Sequence, residues 1–572
     1  MYEDVRIAGD LVKDYMSQYS SYVAQERALP QLVDGLKPVH RRILNSASDL
    51  HLYHDRAYLK TAKLEGQVLG DYHPHGGANV TTLIQPFNIR YPILEGKGNW
   101  GSPDDPYSVA ASRYTEVKLT KFAEDFYLSS SDYADREPNY DGRLQEIVRY
   151  YPPVPGCLLT SAKGMAIGLT TSVPSHEIGM VCDSLLRYLR GQDCISGMYP
   201  DTCEKSITLS SAEEIRSLYE RGSGSVRYRA ATHYERVGKN YLLVVDAFPP
   251  GFSKKRLSTN SKILEYVDEG KLSLSNESSK DVRYVFTSQE KSILEDVLSV
   301  LESTVSYKMH IEHDGIIALY PLTEIYKDFC KSRKAYISRK YADLSDKYKV
   351  ELEYNKALLA FKRSSLVREI ILLSESEAVS RLVDRLKISE ENAKRILSSP
   401  IRSLLKSNED SILLKISTLE SSIKEYAGYV EDPESKLILD IKAISKAYGG
   451  STNTVLACLN SFREEGEVLS SEGLKRFDSL QEAVESSESY PYYLLSDSRG
   501  FIMITRDLLD HRYPEHILKT TEDPIIYGIY DPEKYQVDYI GGISYQLGGW
   551  CLRKRSSNII YGNGFSGFSM IG

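Results

Sequence analysis

The chain has 572 residues, 41% hydrophobic and 26% charged, with a formal net charge of −8. That length suits three or four domains with real cores, and no apolar run is long enough to span a bilayer. The seven cysteines are odd in number, scattered and never paired as CxxC. This argues against a disulfide framework or a zinc ribbon and for a reducing cytoplasm.

In chain order, residues 1–10 carry Glu3, Asp4 and Arg6 without an apolar stretch, so no signal peptide is expected. Residues 27–63 then hold seven basic side chains against three acidic ones, a local balance of +4, with His40, His51 and His54 besides. Local charge, not the total, is what meets phosphates, although such a stretch also fits a solvated helix face. Within it, Gly35-Leu-Lys-Pro-Val-His-Arg-Arg42 reads as a helix start with Pro38 in the first turn. Lys37, His40, Arg41 and Arg42 are then placed to reach a nucleic-acid backbone. Asp71-Tyr-His-Pro-His-Gly76 adds two imidazoles, His73 and His75. They lack the further His or Cys neighbours that a zinc site needs, so no metal ligands are expected.

Next comes Arg113-Tyr114-Thr115-Glu116. A tyrosine that attacks a phosphodiester exchanges one phosphoester for another, so the strand can be resealed without a high-energy cofactor. A free phenol, with a pKa of about 10, is ionised only about one part in a thousand at neutral pH, so it needs help. A neighbouring arginine can stabilise charge on the phosphoryl oxygens. With 43 tyrosines against 13 phenylalanines, no single tyrosine stands out on its own. Gly96-x-Gly98-x-x-Gly101 fits a dinucleotide pattern but lacks the βαβ context, and reads as the turn before the tyrosine segment.

Residues 157–315 contain strand-like runs, among them Tyr241-Leu-Leu-Val-Val-Asp246, ended by Pro249-Pro250-Gly251. Between Pro321 and Pro400 there is neither glycine nor proline, and Ile337, Tyr341, Leu344, Tyr348, Leu352 and Leu359 recur at helical spacing. After Pro400, Ile412, Ile416, Leu419, Ile423 and Tyr426 repeat as a heptad seam. The pattern reads as two long antiparallel helices with a helical knot between them, or as an ordinary helical bundle. Ser389 before Glu390, Glu391 and Asn392 suits a helix N-cap. Residues 464–490 are polar and acidic, a linker pattern. Beyond them, Tyr492-Tyr-Leu-Leu495 and Phe501-Ile-Met-Ile-Thr505 flank Asp497-Ser-Arg-Gly500, a hairpin signal.

Several of these strings occur together and in order. Arg27-Ala-Leu-Pro, Asp34-Gly-Leu-Lys-Pro-Val-His-Arg-Arg42, Tyr72-His-Pro-His-Gly76, Gln85-Pro-Phe87, Gly96-Lys-Gly-Asn-Trp-Gly-Ser102, Ala111-Ser-Arg-Tyr-Thr-Glu116, Asn139-Tyr-Asp-Gly142 and Gly164-Met-Ala-Ile-Gly168 closely resemble the A subunits of DNA gyrase and topoisomerase IV. The resemblance runs over residues 10–465, densest in the first 180.

It implies a multidomain α+β chain. An N-terminal arm (1–27) would contact the partner subunit of the enzyme. Next would come a winged-helix cleavage domain (28–150), a tower domain (151–318), and a long antiparallel coiled coil with a helical exit gate (319–465). A linker (466–489) and a small β-rich C-terminal module (490–572) would end the chain. Tyr114 matches the family's nucleophile, and Arg113 and Arg27 match its catalytic arginines. Lys37, His40, Arg41, Arg42, His73 and His75 match positions that hold the cleaved DNA. Met165 falls where the family inserts an apolar wedge between base steps; a buried core position is its other reading.

The implied activity is that of an ATP-dependent type II DNA topoisomerase, an isomerase that cuts both strands through 5′-phosphotyrosine links, passes a second duplex and reseals. The implied partners are double-stranded DNA, a second copy of the chain, and an ATPase/TOPRIM (B-type) subunit that would bind the Mg2+ and ATP. No acidic metal motif, P-loop or GHKL-type ATP site is apparent in this sequence. It departs from the bacterial subunits in a stretch, residues 77–84, that is shorter by roughly one helical turn. Its C-terminal module is also too short for a wrapping domain of gyrase type, which favours relaxation or decatenation over supercoiling. Such shortening is similar to bacteriophage topoisomerase subunits. A non-catalytic DNA-bending dimer of the same fold is the alternative function. A tyrosine recombinase is disfavoured because Tyr114 lies too early in the chain.

Overall fold

The computed structural model describes residues 15–456 apart from 17, 21, 75–79, 365, 371 and 400–408, and, beyond these, the backbone of seven strands between residues 474 and 563. The fold mixes helices with largely antiparallel sheet and includes one helix of 42 residues, Leu322–Arg363. It divides into two compact units, one formed by Cys330–Lys442 and the other by the remaining chain.

In the larger unit, a π-helical turn, Ala24–Ala28, leads to the helix Pro38–Asp49, which starts at Pro38 as the sequence predicts. The loop between them depends on two glycines that face each other. Gly35 has φ +70°, and a Cβ on it would lie 2.3 Å from the Gly156 carbonyl carbon; one on Gly156 would lie 2.1 Å from the Asp34 oxygen. No side chain fits between these backbones. The helix Thr61–Gln67 continues into a π-helical turn, Val68–Tyr72. Beyond it, the described residues form one 3-10 turn, Thr81–Leu83. A three-stranded antiparallel sheet follows, with Glu116–Leu119 between Leu59–Lys60 and Leu94–Lys97.

Nine strands form a second, larger sheet. Its main path runs Leu272–Asn276, Tyr284–Ser288, Asn240–Ala247, Ser223–Val237, Glu302–Lys308, Leu169–Ser172 and Lys163–Ala166. The predicted strand at 241–246 is its Asn240–Ala247 member, where Leu243 and Val245 are buried beside Phe286, Leu294 and Leu301. Off this path, Ser206–Thr208 pairs with Ser223–Val237 and, in parallel, with Thr454–Leu456. Buried Asp201 fixes that return of the chain: its carboxylate accepts from the Asn453 and Thr454 amides at 2.7 and 2.8 Å and lies 3.0 Å from Arg90.

The smaller unit is helical. Part of Leu322–Arg363 runs antiparallel to Glu409–Glu431, as the cross-pairs show: Tyr341 packs on Tyr426 and Tyr429, Tyr348 on Tyr426, and Lys356 pairs with Glu420 at 2.6 Å. The predicted seam is the packed face, with Ile412, Ile416 and Leu419 buried. The stretch without glycine or proline is nonetheless broken into four helices, because serine caps do the breaking. Ser364 ends the long helix by turning its hydroxyl back to the Phe361 carbonyl at 2.7 Å. The Ser374 amide donates to Glu377 at 3.0 Å, and the Ser389 hydroxyl accepts from the Asn392 amide at 3.2 Å. Helices Leu366–Ile370, Glu375–Leu386 and Glu390–Leu397 close a cluster around Phe361, Leu382 and Ile396. The returning helix breaks before Pro433 and resumes as Pro433–Tyr448.

Near the C-terminus, Tyr492–Asp497 and Gly500–Thr505 pair antiparallel in the expected hairpin register. Leu474–Phe477, inside the stretch that reads as a linker, is a strand paired with Ile525–Ile529.

Candidate active site

Tyr114 ends a turn directly before the central strand Glu116–Leu119. Residues on both sides of it are fixed. Ahead of it, the Tyr114 amide donates to the Ala111 carbonyl at 2.8 Å, and the Ala110 amide donates to the Asn99 carbonyl at 3.0 Å. Behind it, Thr115 is buried: its hydroxyl donates to Thr61 Oγ1 at 2.9 Å, and its carbonyl accepts from the Thr61 amide at 3.1 Å. Gly98, at φ +108°, lets the preceding loop pass close to Thr115, since a Cβ there would come within 3.2 Å of the threonine methyl. The tyrosine side chain is left free. It is 67% exposed, and its hydroxyl has no hydrogen-bond partner among the described residues. Arg113 lies over its ring, guanidinium carbon 4.6 Å from the centroid, and has no acidic partner among the described residues. The contact places a cation against the face of the ring that carries the phenol.

The basic helix start is different. Asp34, fully buried, accepts from the Leu36 amide at 2.9 Å, from the Tyr150 amide at 3.1 Å, and from Arg41 through a fork of 2.7 and 2.9 Å. Arg41 is therefore turned into the protein, where it also donates to the Leu36 carbonyl at 2.7 Å. Arg42 forks onto Glu146 at 2.9 and 3.0 Å and reaches His73 Nδ1 at 3.0 Å, with Glu26 4.0 Å away. His40 is pushed down to about 3, first by burial and then by the charges of Lys37 and Arg41, so its imidazole is neutral at physiological pH. Lys37 donates to the Lys163 carbonyl at 2.6 Å and has no acidic partner among the described residues; burial lowers it.

That Lys163 carbonyl belongs to the hairpin Lys163–Ala166/Leu169–Ser172, whose Met165 is 81% exposed and not part of a core. The hairpin is seated on the segment that carries Arg27. A Cβ on Gly164 would lie 2.0 Å from the Ala28 oxygen, and the Ser20 hydroxyl donates to the Ile167 carbonyl at 2.9 Å. Arg27 itself is exposed and has no partner among the described residues.

The structure thus gathers the predicted residues into three groups: Arg27, Lys37 and Met165 at the hairpin, Arg42 and His73 around Glu146, and Arg113 with Tyr114. No hydrogen bond or ion pair among the described residues joins the third group to the others. His75 lies outside the described residues. Sequence reading missed the residues that hold the second group. Asn139 donates to the Asp71 carbonyl at 2.7 Å and Tyr140 to the Gly70 carbonyl at 2.7 Å, capping the helix end that leads to His73. The Asn-Tyr-Asp-Gly turn that presents them was visible, with Gly142 at φ +73°. Its target was not.

Among the described residues, no group of three or more His, Cys, Asp or Glu side chains is arranged to hold a metal ion, and no helix is long and apolar enough to cross a membrane.

The long paired helices, the two sheets and the ordered motifs define one class of chain, and comparison with known families gives its name. The family of DNA gyrase and topoisomerase IV A subunits matches residues 27–442, and the chain belongs to it. The DNA topoisomerase 4 A subunit of Escherichia coli (strain K12) is 33% identical over 492 residues, covering 79% of this chain and 62% of the relative. The same-named protein of Rickettsia felis is 29% identical over 491 residues, covering 81% and 66%. The DNA gyrase A subunit of Brachyspira hyodysenteriae is 31% identical over 484 residues, covering 78% and 57%. The chain spans about three-fifths of the length of these relatives.

Proposed function

We propose that this chain is the DNA-cleaving and DNA-resealing component of an ATP-dependent type II topoisomerase, working in the cytoplasm as a two-fold dimer. The observation that carries the reading is the Arg113–Tyr114 pair: a free, exposed phenol beneath a guanidinium, held in a chain of this family. Tyr114 Oη attacks a backbone phosphorus. The new P–O bond replaces the bond to the 3′ oxygen, which leaves as a hydroxyl after taking up a proton, and the 5′ phosphate stays on the tyrosine. Attack by the 3′ hydroxyl reverses the step with no net loss of phosphoester. Arg113 offsets charge on the phosphoryl oxygens and Arg27 supplies a second unpaired cation.

Residues 28–150 then form the winged-helix part of the DNA gate and 151–318 the tower. The paired helices form a coiled coil ending in an exit gate. Lys37, His40, His73 and His75 hold the DNA backbone, Met165 wedges a base step, and Arg41 and Arg42, paired with Asp34 and Glu146, act as positioning residues. Mg2+ and ATP are assigned to a B-type partner. Relaxation or decatenation is favoured over supercoiling.

The test mixes the chain with its B-type partner, Mg2+, ATP and supercoiled plasmid, followed by denaturation and protease digestion. Linear DNA with protein on its 5′ ends is expected, and Tyr114→Phe should reduce it to background while DNA binding persists. Cleavage by the phenylalanine variant would overturn the assignment. Bending without cleavage by the parent would instead mark a DNA-bending dimer.

A further inference from the structure

The loop 98–112, which delivers the chain to Tyr114, is tied at its tip to a distant part of the large sheet. It is braced internally: Trp100 bridges Val109, the Ser102 amide donates to the Asp105 carbonyl at 3.1 Å, and Gln85 donates to the Trp100 and Pro106 carbonyls at 2.6 and 3.0 Å. Loop motion is therefore passed along it rather than absorbed. At the tip, one Asp104 carboxylate oxygen lies 2.6 Å from Lys254 Nζ, and the other accepts from Asn276 Nδ2 at 3.2 Å. Lys254 also donates to the Asp104 carbonyl. Asn276 is steadied in turn by the Tyr284 hydroxyl at 3.0 Å, and the Lys254 ammonium sits 5.8 Å from the Tyr284 ring centroid.

These three partners come from three places: the turn before the helix Lys255–Thr259, the strand Leu272–Asn276 and the strand Tyr284–Ser288. Burial alone would raise the Asp104 carboxyl. The hydrogen bonds from Lys254, Asn276 and Tyr284 outweigh it and hold the group below the usual carboxylate range, so the pair stays charged at neutral pH.

We infer that the Asp104–Lys254 contact is a positioning device that refers the Tyr114 turn to the outer end of the large sheet. Tyr114 lies between two fixed points. One is Thr115, bonded to Thr61 at the start of its helix. The other is Ala110–Ala111, the base of the tethered loop. The first sets the tyrosine against the small sheet. The second, through Asp104, sets it against the large one. A shift of the outer strands on DNA binding would move the loop base and change where Tyr114 Oη points. A misplacement of about 1 Å at a reacting group can cost on the order of a hundredfold in rate. The tether itself is partly exposed, and an ion pair of this kind contributes little to stability, so its loss leaves the fold intact. The inference rests on the proposed role of Tyr114.

The experiment compares Lys254→Met, Asp104→Asn and the swap Asp104→Lys with Lys254→Asp, each as full chain with its B-type partner and Mg2+. DNA binding is measured on a short duplex, and covalent cleavage at saturating duplex. Hydrogen exchange of the Ala110 and Tyr114 amides is followed in the chain alone. The single variants are expected to bind DNA within about twofold of the parent while forming about tenfold less covalent complex, a tenfold loss being the scale of a 1.4 kcal/mol barrier change. Both amides should exchange faster, and the swap should restore all three readings. Unchanged exchange in the single variants would overturn the inference whether or not the parent cleaves DNA. So would parent-like cleavage at equal occupancy, or failure of the swap to rescue. A parent that exchanges as expected but never cleaves would sink the proposed function and leave the tether standing.

Discussion

At the start of the helix Pro38–Asp49, arginine side chains are committed to internal partners, Arg41 to Asp34 and Arg42 to Glu146. At the turn that carries Tyr114, Arg113 meets no carboxylate among the described residues and lies over a phenol that is itself unpartnered there. Both regions present arginines in the sequence. They differ in what surrounds them: a buried aspartate and a nearby strand glutamate in the first case, solvent in the second. An ion pair already made inside the protein organises a surface, whereas an unpaired cation is free to meet a phosphate.

Removing each arginine sharpens that contrast. Arg41→Ala leaves the Asp34 carboxylate buried without its counter-ion, which should destabilise the fold by about 3–5 kcal/mol. A urea-denaturation midpoint within error of the parent would show that Asp34 is not held as the geometry implies. Arg113→Ala should do the reverse. Folding stability should change by no more than about 0.5 kcal/mol, as for exposed sites generally, while the rate of covalent complex formation falls about 10²- to 10³-fold. A variant that cleaves normally but melts early would exchange the roles of the two regions.

A third contrast concerns His40. Its folded-state pKa, about 3, is depressed below the usual 6.5, so between those values the unfolded chain holds a proton that the folded chain lacks. The stability tied to the neutral ring is complete above about pH 6.5 and is lost as pH falls through that window. In a histidine NMR titration, the His40 ring should show no midpoint above pH 5. A midpoint near the free-histidine value would mean that the imidazole is a charged member of the surface.

Much of the architecture could be read from sequence wherever one residue type has one physical consequence. Pro38 starts its helix, Ser389 caps another, Pro249-Pro250-Gly251 ends a strand, and the heptad at 412–426 marks the packed face of the helix pair. What could not be read depends on partners far away in the chain. The inward turn of Arg41 follows from Asp34 lying where the Tyr150 amide also bonds it, 116 residues on. The break of the long helix after Arg363 follows from serine hydroxyls that compete for backbone groups, a weaker signal than glycine or proline. For Met165, sequence alone left wedge and core open, and its 81% exposure removes the second reading. The roles of Asn139 and Tyr140 needed the helix end they cap, which no local pattern names.

The helical pair carries its own measure of length. Matched partners fall opposite one another along it: Glu351 beside Lys415, Lys356 beside Glu420, Tyr341 against Tyr426 and Tyr429. Sliding one helix past the other by a turn would separate these pairs, so the register is keyed rather than merely greasy. The arm is in that sense a ruler. An insertion in one helix alone would put these pairs out of register unless a matching insertion in the other restored them.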